Sequence, residues 1–339
     1  MLINGVWAKD FHPVHDTDED GGFVRERAGF RRWITPDSWV GPTAEAGFAA
    51  EAGRYHLYAA LICPWASRTL MARKLKRLEE VVSVTIVDPR LTEKVWRFGG
   101  HPYAYPGAEA DPLYHSEYVY ELYLRAQSDY SGQVTVPVLW DKKTQTIVNN
   151  ESSDIIRMFN SAFGDLADDR IDLYPEHLRQ DIDATNRRLY NRFNNGVYRA
   201  GFATTQLAYE RAVRDVFDSM DFIEQKLERT NYLVGEQITE ADIRAFVTLV
   251  RFDLAYYALF KTNLKRAQDY SNINAYLKRI YQLPGIAETV SPEHIKAGYY
   301  SIRALNPSGI VPSGPVPSWL GSQEPSHEHT TAYASIAPA

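Results

Sequence analysis

Leu61-Ile62-Cys63-Pro64-Trp65-Ala66-Ser67-Arg68-Thr69-Leu70 (LICPWASRTL) contains the single cysteine of a 339-residue chain, followed at once by a proline. Upstream, residues 54–61 (RYHLYAAL) read as a strand. Downstream, residues 64–78 read as a helix, with Met71, Leu75 and Leu78 spaced to share one apolar stripe. Pro64 suits the first helical position, where its missing N–H removes no intrahelical bond. Residues 81–87 (VVSVTIV) follow as a buried strand, which completes a strand–helix–strand unit. Cys63 therefore falls at a strand-to-helix junction.

Working outward, residues 88–133 form a long insertion dense in Tyr, Pro and Gly, with a short helix expected over 116–127. Residues 134–140 (VTVPVLW) and 146–150 (TIVNN) read as two strands joined by a polar turn, and residues 151–160 resume helix. The order βαβ then ββα resembles a thioredoxin-like domain. Proline is disfavoured inside a strand, so Pro137 is expected as a cis-proline entering an edge beside a ligand. After residue 170 the pattern is wholly helical. Leu189, Phe193 and Val197 share one face, as do Val213, Phe217, Met220 and Leu227 on a second helix. Ile243, Val247, Val250, Leu254 and Tyr257 share a third, opened by a Thr239-Glu-Ala-Asp242 capping box. Ile273, Leu277 and Ile280 mark one more short helix. The expected division is an N-terminal extension over 1–50, a sheet domain over 51–165 with its insertion at 88–133, a helix bundle over 170–305 and a Pro/Ser-rich tail over 306–339. The extension is expected to lie on the body, because Trp7, Phe11, Phe23, Phe30, Trp33 and Trp39 need something to bury against.

Length favours two domains over one core. A net charge of −6 excludes the basic footprint of a nucleic-acid-binding domain. No segment approaches the roughly 18 consecutive apolar residues of a membrane span. A lone cysteine forms no intramolecular disulfide, and the N-terminal residues show no secretion signal, so a reducing cytoplasm is expected.

At a helix N-terminus, unpaired N–H groups and the positive dipole end favour a thiolate, and cysteines so placed reach pKa values of roughly 3.5–7.5. The position three residues after Cys63 is Ala66 and not a second cysteine, so the site is monothiol. A monothiol that attacks sulfur forms a mixed disulfide, and an outside thiol must release it. An arbitrary lone cysteine is more often a small buried hydrophobe, but the strand-Cys-Pro-helix setting reverses that preference. The nine histidines show no metal-ligand spacing. Ser152 opens the helix after Glu151, a place suited to a ligand carboxylate, with Glu151 for an amino group; simple helix capping explains the pair equally well.

Five separated stretches carry a closer resemblance: LICPWASRTL, VTVPVLWDKKTQTIVNNESSDIIRMFN (134–160), NNGVYRAGFATTQ (194–206), RFDLAY (251–256) and HIKAGYY (294–300). Together with NGVW (4–7) and FRRWITPDSW (30–39), they resemble the glutathionyl-hydroquinone reductases, the Xi class of glutathione transferases. The resemblance implies a glutathione transferase fold, an α/β thioredoxin-like domain followed by an all-α helix bundle. It implies Cys63 as nucleophile, with Tyr198 and Tyr299 serving the reacting ring. Trp96, Gln133, Val136, Pro137, Glu151 and Ser152 would hold glutathione, and Trp65, Tyr256 and Tyr300 would line the ring pocket. Glutathione is implied as co-substrate with no bound cofactor and no metal, glutathionyl-hydroquinones as substrates, and a homodimer as the assembly. The family pattern carries Arg where this chain has Gln133, and a His-rich stretch where it has YALFKTN after Tyr256. Rival readings are a glutaredoxin-like thiol transferase or dehydroascorbate reductase using the same cysteine, an ordinary conjugating transferase, and a non-catalytic binding protein of the same fold.

Overall fold

The computed structural model describes residues 1–8, 17–36, 41–42 and 47–320. Phe11 and Trp39 lie outside these. The chain opens with a two-residue-loop hairpin, β1 (Leu2–Ile3) and β2 (Val6–Trp7). Sequence periodicity missed it, although Asn4-Gly5 is its signal: both residues take positive φ, 47° and 76°, as such turns require. At Gly5 a Cβ would meet the Ser128 carbonyl oxygen at 2.2 Å, so no other residue fits without a shift. Leu2 exchanges two backbone bonds with Gly132 at 3.0 Å, which ties the hairpin to the insertion. Short strands β3 (Ile34–Thr35) and β4 (Phe48–Ala49) pair in parallel. Along this segment Trp7 packs on Tyr120, Phe30 stacks on Tyr130 and Phe23 meets Phe202.

The main sheet has four strands: β5 (Tyr55–Ala59), β6 (Val82–Ile86), β7 (Val138–Asp141) and β8 (Thr146–Asn149), in the order β6-β5-β7-β8. β5 and β6 are parallel, and the other two pairings are antiparallel. Helix α1 (Pro64–Leu75) is the crossover between the parallel strands. It ends three residues earlier than expected and is buried on nearly every side. A single apolar stripe does not describe it. It packs against helix α3 (Ser152–Ser161) and a helix of the C-terminal half, so even Ser67, Arg68 and Thr69 are buried. β5 is likewise buried throughout, because the insertion covers its far face. The Tyr58 hydroxyl donates to Asp111 at 2.8 Å and its ring packs on Phe98. The insertion's one regular helix, α2 (Tyr120–Ala126), is shorter than the sequence suggested.

The C-terminal half is helical: α4 (Arg179–Leu189), α5 (Gly196–Gly201), α6 (Gln206–Leu227), α7 (Glu240–Arg251), the single turn α8 (Tyr257–Leu259), α9 (Ser271–Tyr281) and α10 (Pro292–Tyr299). The apolar faces read from sequence are buried, Tyr257 only partly so. The Thr239 N–H donates to Asp242 Oδ2 at 2.9 Å, the return arm of the expected capping box. Wider π turns follow α4 at Tyr190–Asn194 and α7 at Phe252–Tyr256. Such turns have no sequence periodicity of their own, and they gather at functional sites.

The expectation of a poorly packed tail is corrected for residues 306–320. Trp319 is buried against Tyr281, and the Lys296 ammonium donates to the carbonyls of Pro312, Ser313 and Gly314 at 3.2, 2.8 and 3.3 Å. Composition alone hides this, since one tryptophan and one lysine do the anchoring. The remainder of the tail lies outside the described residues.

His56 on β5 is held between Ser83 and Thr85 at 2.7 and 2.9 Å, and burial pushes its pKa down from 6.5 to about 4. Its neutral form is favoured in the folded state. Stability is therefore full above pH 6.5 and is lost as pH falls toward 4, by on the order of 3 kcal/mol from this residue. Urea unfolding of the wild type should show that loss, and His56→Gln should show a flatter profile over the same window. Parallel profiles would remove His56 as the cause.

Candidate functional site

Cys63 sits at the N-cap position of α1 with extended backbone, φ −76° and ψ 118°. Its carbonyl accepts the Ser67 N–H at 3.0 Å, while its side chain caps nothing. Sγ lies 3.5 Å from the carbonyl oxygen of Val136, within reach of an S–H hydrogen bond. The peptide between Val136 and Pro137 is cis. The β5–β7 ladder begins only at Val138, so no strand pairs with Val136.

A groove of about 810 Å³ opens beside this point, and Trp65, Gln133, Val136, Pro137, Glu151 and Ser152 all line it. Glu151, not Ser152, is the N-cap of α3. Its carboxylate accepts from the Ser153 N–H at 3.0 Å and the Ser153 hydroxyl at 2.9 Å. Ser152 is buried, and its hydroxyl accepts from Arg68 at 3.4 Å. Whatever an arginine at position 133 would add, the groove is rich in cations, with Arg25, Arg27, Arg31, Arg157, Arg187 and Arg244 on its walls.

Cys63 does not itself line the groove. It is 8% exposed, and burial pushes its thiol up, against the pull of the Ala66 and Trp65 N–H groups and of the Arg251 and Arg25 charges. This corrects the expectation of a depressed thiol in the free protein. The dipolar donors stand where the helix N-terminus puts them, but desolvation outweighs them.

Behind the cysteine three tyrosines meet. The Tyr299 hydroxyl is 2.6 Å from that of Tyr198 and 2.8 Å from that of Tyr256. Burial raises all three phenols, and proximity to Cys63 raises Tyr198 further. Phe260, from the YALFKTN stretch, packs against all three rings. Tyr198 stacks on Trp65, and the Arg25 guanidinium lies 4.8 Å from the Trp65 ring centre and 4.9 Å from that of Tyr198.

Two residues named from sequence do not join these groups. Tyr300 is buried beside Tyr299, but its hydroxyl has no hydrogen bond among the described residues, because a one-residue step on α10 rotates it away. Trp96 is buried in the insertion, where its carbonyl accepts the Val119 N–H at 3.0 Å, and it lies outside the groove wall. Sequence reasoning missed Arg25, Arg68, Arg251 and Phe260. Arg251 had a signal, since it continues the Ile243, Val247 stripe at four-residue steps and so places a charge on an apolar face.

Family comparison places this geometry. Residues 62–162 match the N-terminal domain model of glutathione S-transferase, and residues 206–279 match the C-terminal one. The chain is 51% identical to the glutathionyl-hydroquinone reductase YqjG of Escherichia coli K12, over 96% of this chain and 97% of that protein. It is 45% identical to the glutathionyl-hydroquinone reductase PcpF of Sphingobium chlorophenolicum, over 93% and 96%. The glutathione-bound structure of YqjG superimposes with a TM-score of 0.84 at 50% identity, over 93% of this chain and 95% of that one. The Xi glutathione transferase of Phanerochaete chrysosporium also gives 0.84, at 49% identity, over 89% and 95%.

Tyr299→Phe removes the shared partner of two buried hydroxyls and should cost about 1–3 kcal/mol in urea unfolding. Tyr300→Phe should cost under about 0.5 kcal/mol. Equal losses in the two variants would refute the distinction.

Proposed function

The chain belongs to the glutathione transferase family and, within it, to the glutathionyl-hydroquinone reductases; for its reaction, the glutathione-dependent reduction of S-glutathionyl-hydroquinones, we propose Cys63 as the attacking atom. The observation that carries this is a single free cysteine at a helix N-terminus, between a backbone segment outside the sheet ladder and a cluster of phenols. The Cys63 thiolate attacks the sulfur of the substrate thioether. A sulfur–sulfur bond forms, the carbon–sulfur pair passes to the ring carbon, and that carbon takes a proton as the hydroquinone leaves. The Tyr198–Tyr299–Tyr256 chain of hydroxyls is suited to supply that proton, because burial keeps each phenol protonated. Free glutathione, as thiolate, then attacks the glutathione sulfur of the mixed disulfide. Glutathione disulfide departs and Cys63 is restored.

Glutathione would lie in the groove as an added strand on Val136, whose backbone no other strand uses. The γ-glutamyl end would meet Glu151 and the start of α3, with Ser152, Gln133 and Pro137 completing the wall. Displacing the Cys63 S–H bond from the Val136 carbonyl would free the sulfur as the ligand arrives. Trp65, Tyr256 and Tyr198 would contact the ring. Trp96, set back from the wall, would act through packing unless the insertion shifts, and Tyr300 would contribute shape alone. We also propose a homodimer and a cytoplasmic setting with abundant reduced glutathione, which a monothiol cycle requires, and the domain division given by the sequence.

Cys63→Ser should keep the fold by circular dichroism and lose turnover of glutathionyl-menadiol in the presence of glutathione. Mass spectrometry of the wild type should show a one-glutathione adduct that the variant lacks. Turnover retained by the variant would refute the mechanism. In the Cys63→Ser background, Glu151→Ala should weaken glutathione binding by about tenfold, roughly 1.4 kcal/mol, in titration calorimetry. Unchanged affinity would move the γ-glutamyl end elsewhere.

A further inference from the structure

Arg251 ends α7, is fully buried, and reaches from the helical half into the junction that holds the cysteine. Its Nε donates to the Ile62 carbonyl at 2.7 Å, Nη1 to the Val247 carbonyl at 2.7 Å, and Nη2 to the Leu61 carbonyl at 2.7 Å and to the Ser67 hydroxyl. Three of these acceptors flank Cys63, two just before it and one a helical turn after. All four are neutral. Arg54 and Arg157 are held by carboxylates, Asp141 and Glu240, whereas no carboxylate pairs with Arg251 among the described residues. Buried Arg68 likewise donates to neutral groups, Ser152 and Asn194, and buried Arg73 to the Val82 and Glu79 carbonyls, but neither reaches the residues on both sides of Cys63. Burying a guanidinium without a counter-ion is costly, and removing its acceptors would cost more, so the geometry is tightly determined.

We propose that Arg251 is a positioning residue for the nucleophile: its fork locks the Leu61–Ile62–Cys63 turn, and its uncompensated positive charge stands behind the sulfur to balance the thiolate. The groups facing Cys63 fit this arrangement. Arg25 approaches from the groove side, half exposed. Tyr198 lies against the thiol, with Tyr299 and Tyr256 beyond it, and burial keeps these phenols protonated, so no anion competes for the charge. The two inputs differ in kind: the Arg25 charge is open to salt, and that of Arg251 is not.

The inference rests on Cys63 being the attacking atom, and its test reads the thiol directly, without any quinol. Because Cys63 is the sole cysteine, iodoacetamide labelling followed by intact mass reports on it alone across pH 5–10. Arg251→Met should raise the midpoint of the alkylation profile by about one to two pH units and slow labelling at pH 7 by roughly tenfold or more. Arg251→Lys, which keeps the charge, should stay within about half a unit of wild type. The wild-type midpoint should hold between about 0.05 and 0.5 M salt. A folded Arg251→Met with an unmoved midpoint overturns the proposal, as does Arg251→Lys shifting as far as Met. If Arg251→Met does not fold, the lysine variant and the salt series decide, and a wild-type midpoint that climbs a unit with salt assigns the charge to Arg25 instead. Normal labelling with no turnover would instead count against the quinol reaction.

Discussion

The single sulfhydryl of the chain sits where its anion is costly to hold. Burial of Cys63 acts against ionisation, and everything around it either opposes or exploits that fact. Strand β5 delivers the residue, Pro64 starts α1 without wasting a donor, and the free N–H groups of Trp65 and Ala66 turn toward the sulfur. The cis peptide brings the Val136 carbonyl alongside. Low polarity that raises the thiol also raises the neighbouring phenols, so the same environment that holds back ionisation of the sulfur keeps the phenols protonated.

Much of this was legible in the sequence because it follows from local rules. The strand–Cys–Pro–helix junction and the Thr239–Asp242 box each occupy a few adjacent residues with one mechanism apiece, and each appears where expected. Pro137 is cis as expected, but the strand it enters, β7, is interior to the sheet and not an edge, because β5 and β8 pair on either side of it. The sequence pattern predicts strand from residue 134, but β7 begins at Val138: Pro137 has no N–H to donate, and the ladder with β5 starts just after it. That departure is what leaves Val136 open to a ligand.

Less legible was what comes from far along the chain. Arg25, from the N-terminal segment, lies over Trp65 and Tyr198, and no periodicity links positions so distant. The stripe on α1 predicted one buried face, but packing between the sheet and α7 buries the others as well. Tyr299 and Tyr300 could not be told apart by motif. Only the rotation of a helix separates a residue that joins two hydroxyls from one that joins none. The apparent loss of a cation at Gln133 also reads differently in three dimensions, since six arginines from elsewhere in the chain line the same space.

Lys296 and Tyr299 occupy the same short helix, three residues apart, on opposite errands: one grips residues 312–314 at the outer surface, the other closes the phenol cluster within. Residues 312–314 are thereby tied through one short helix to the buried hydroxyl cluster. A change in the length or composition of that peripheral strap would therefore bear on the helix that carries the centre of the hydroxyl cluster.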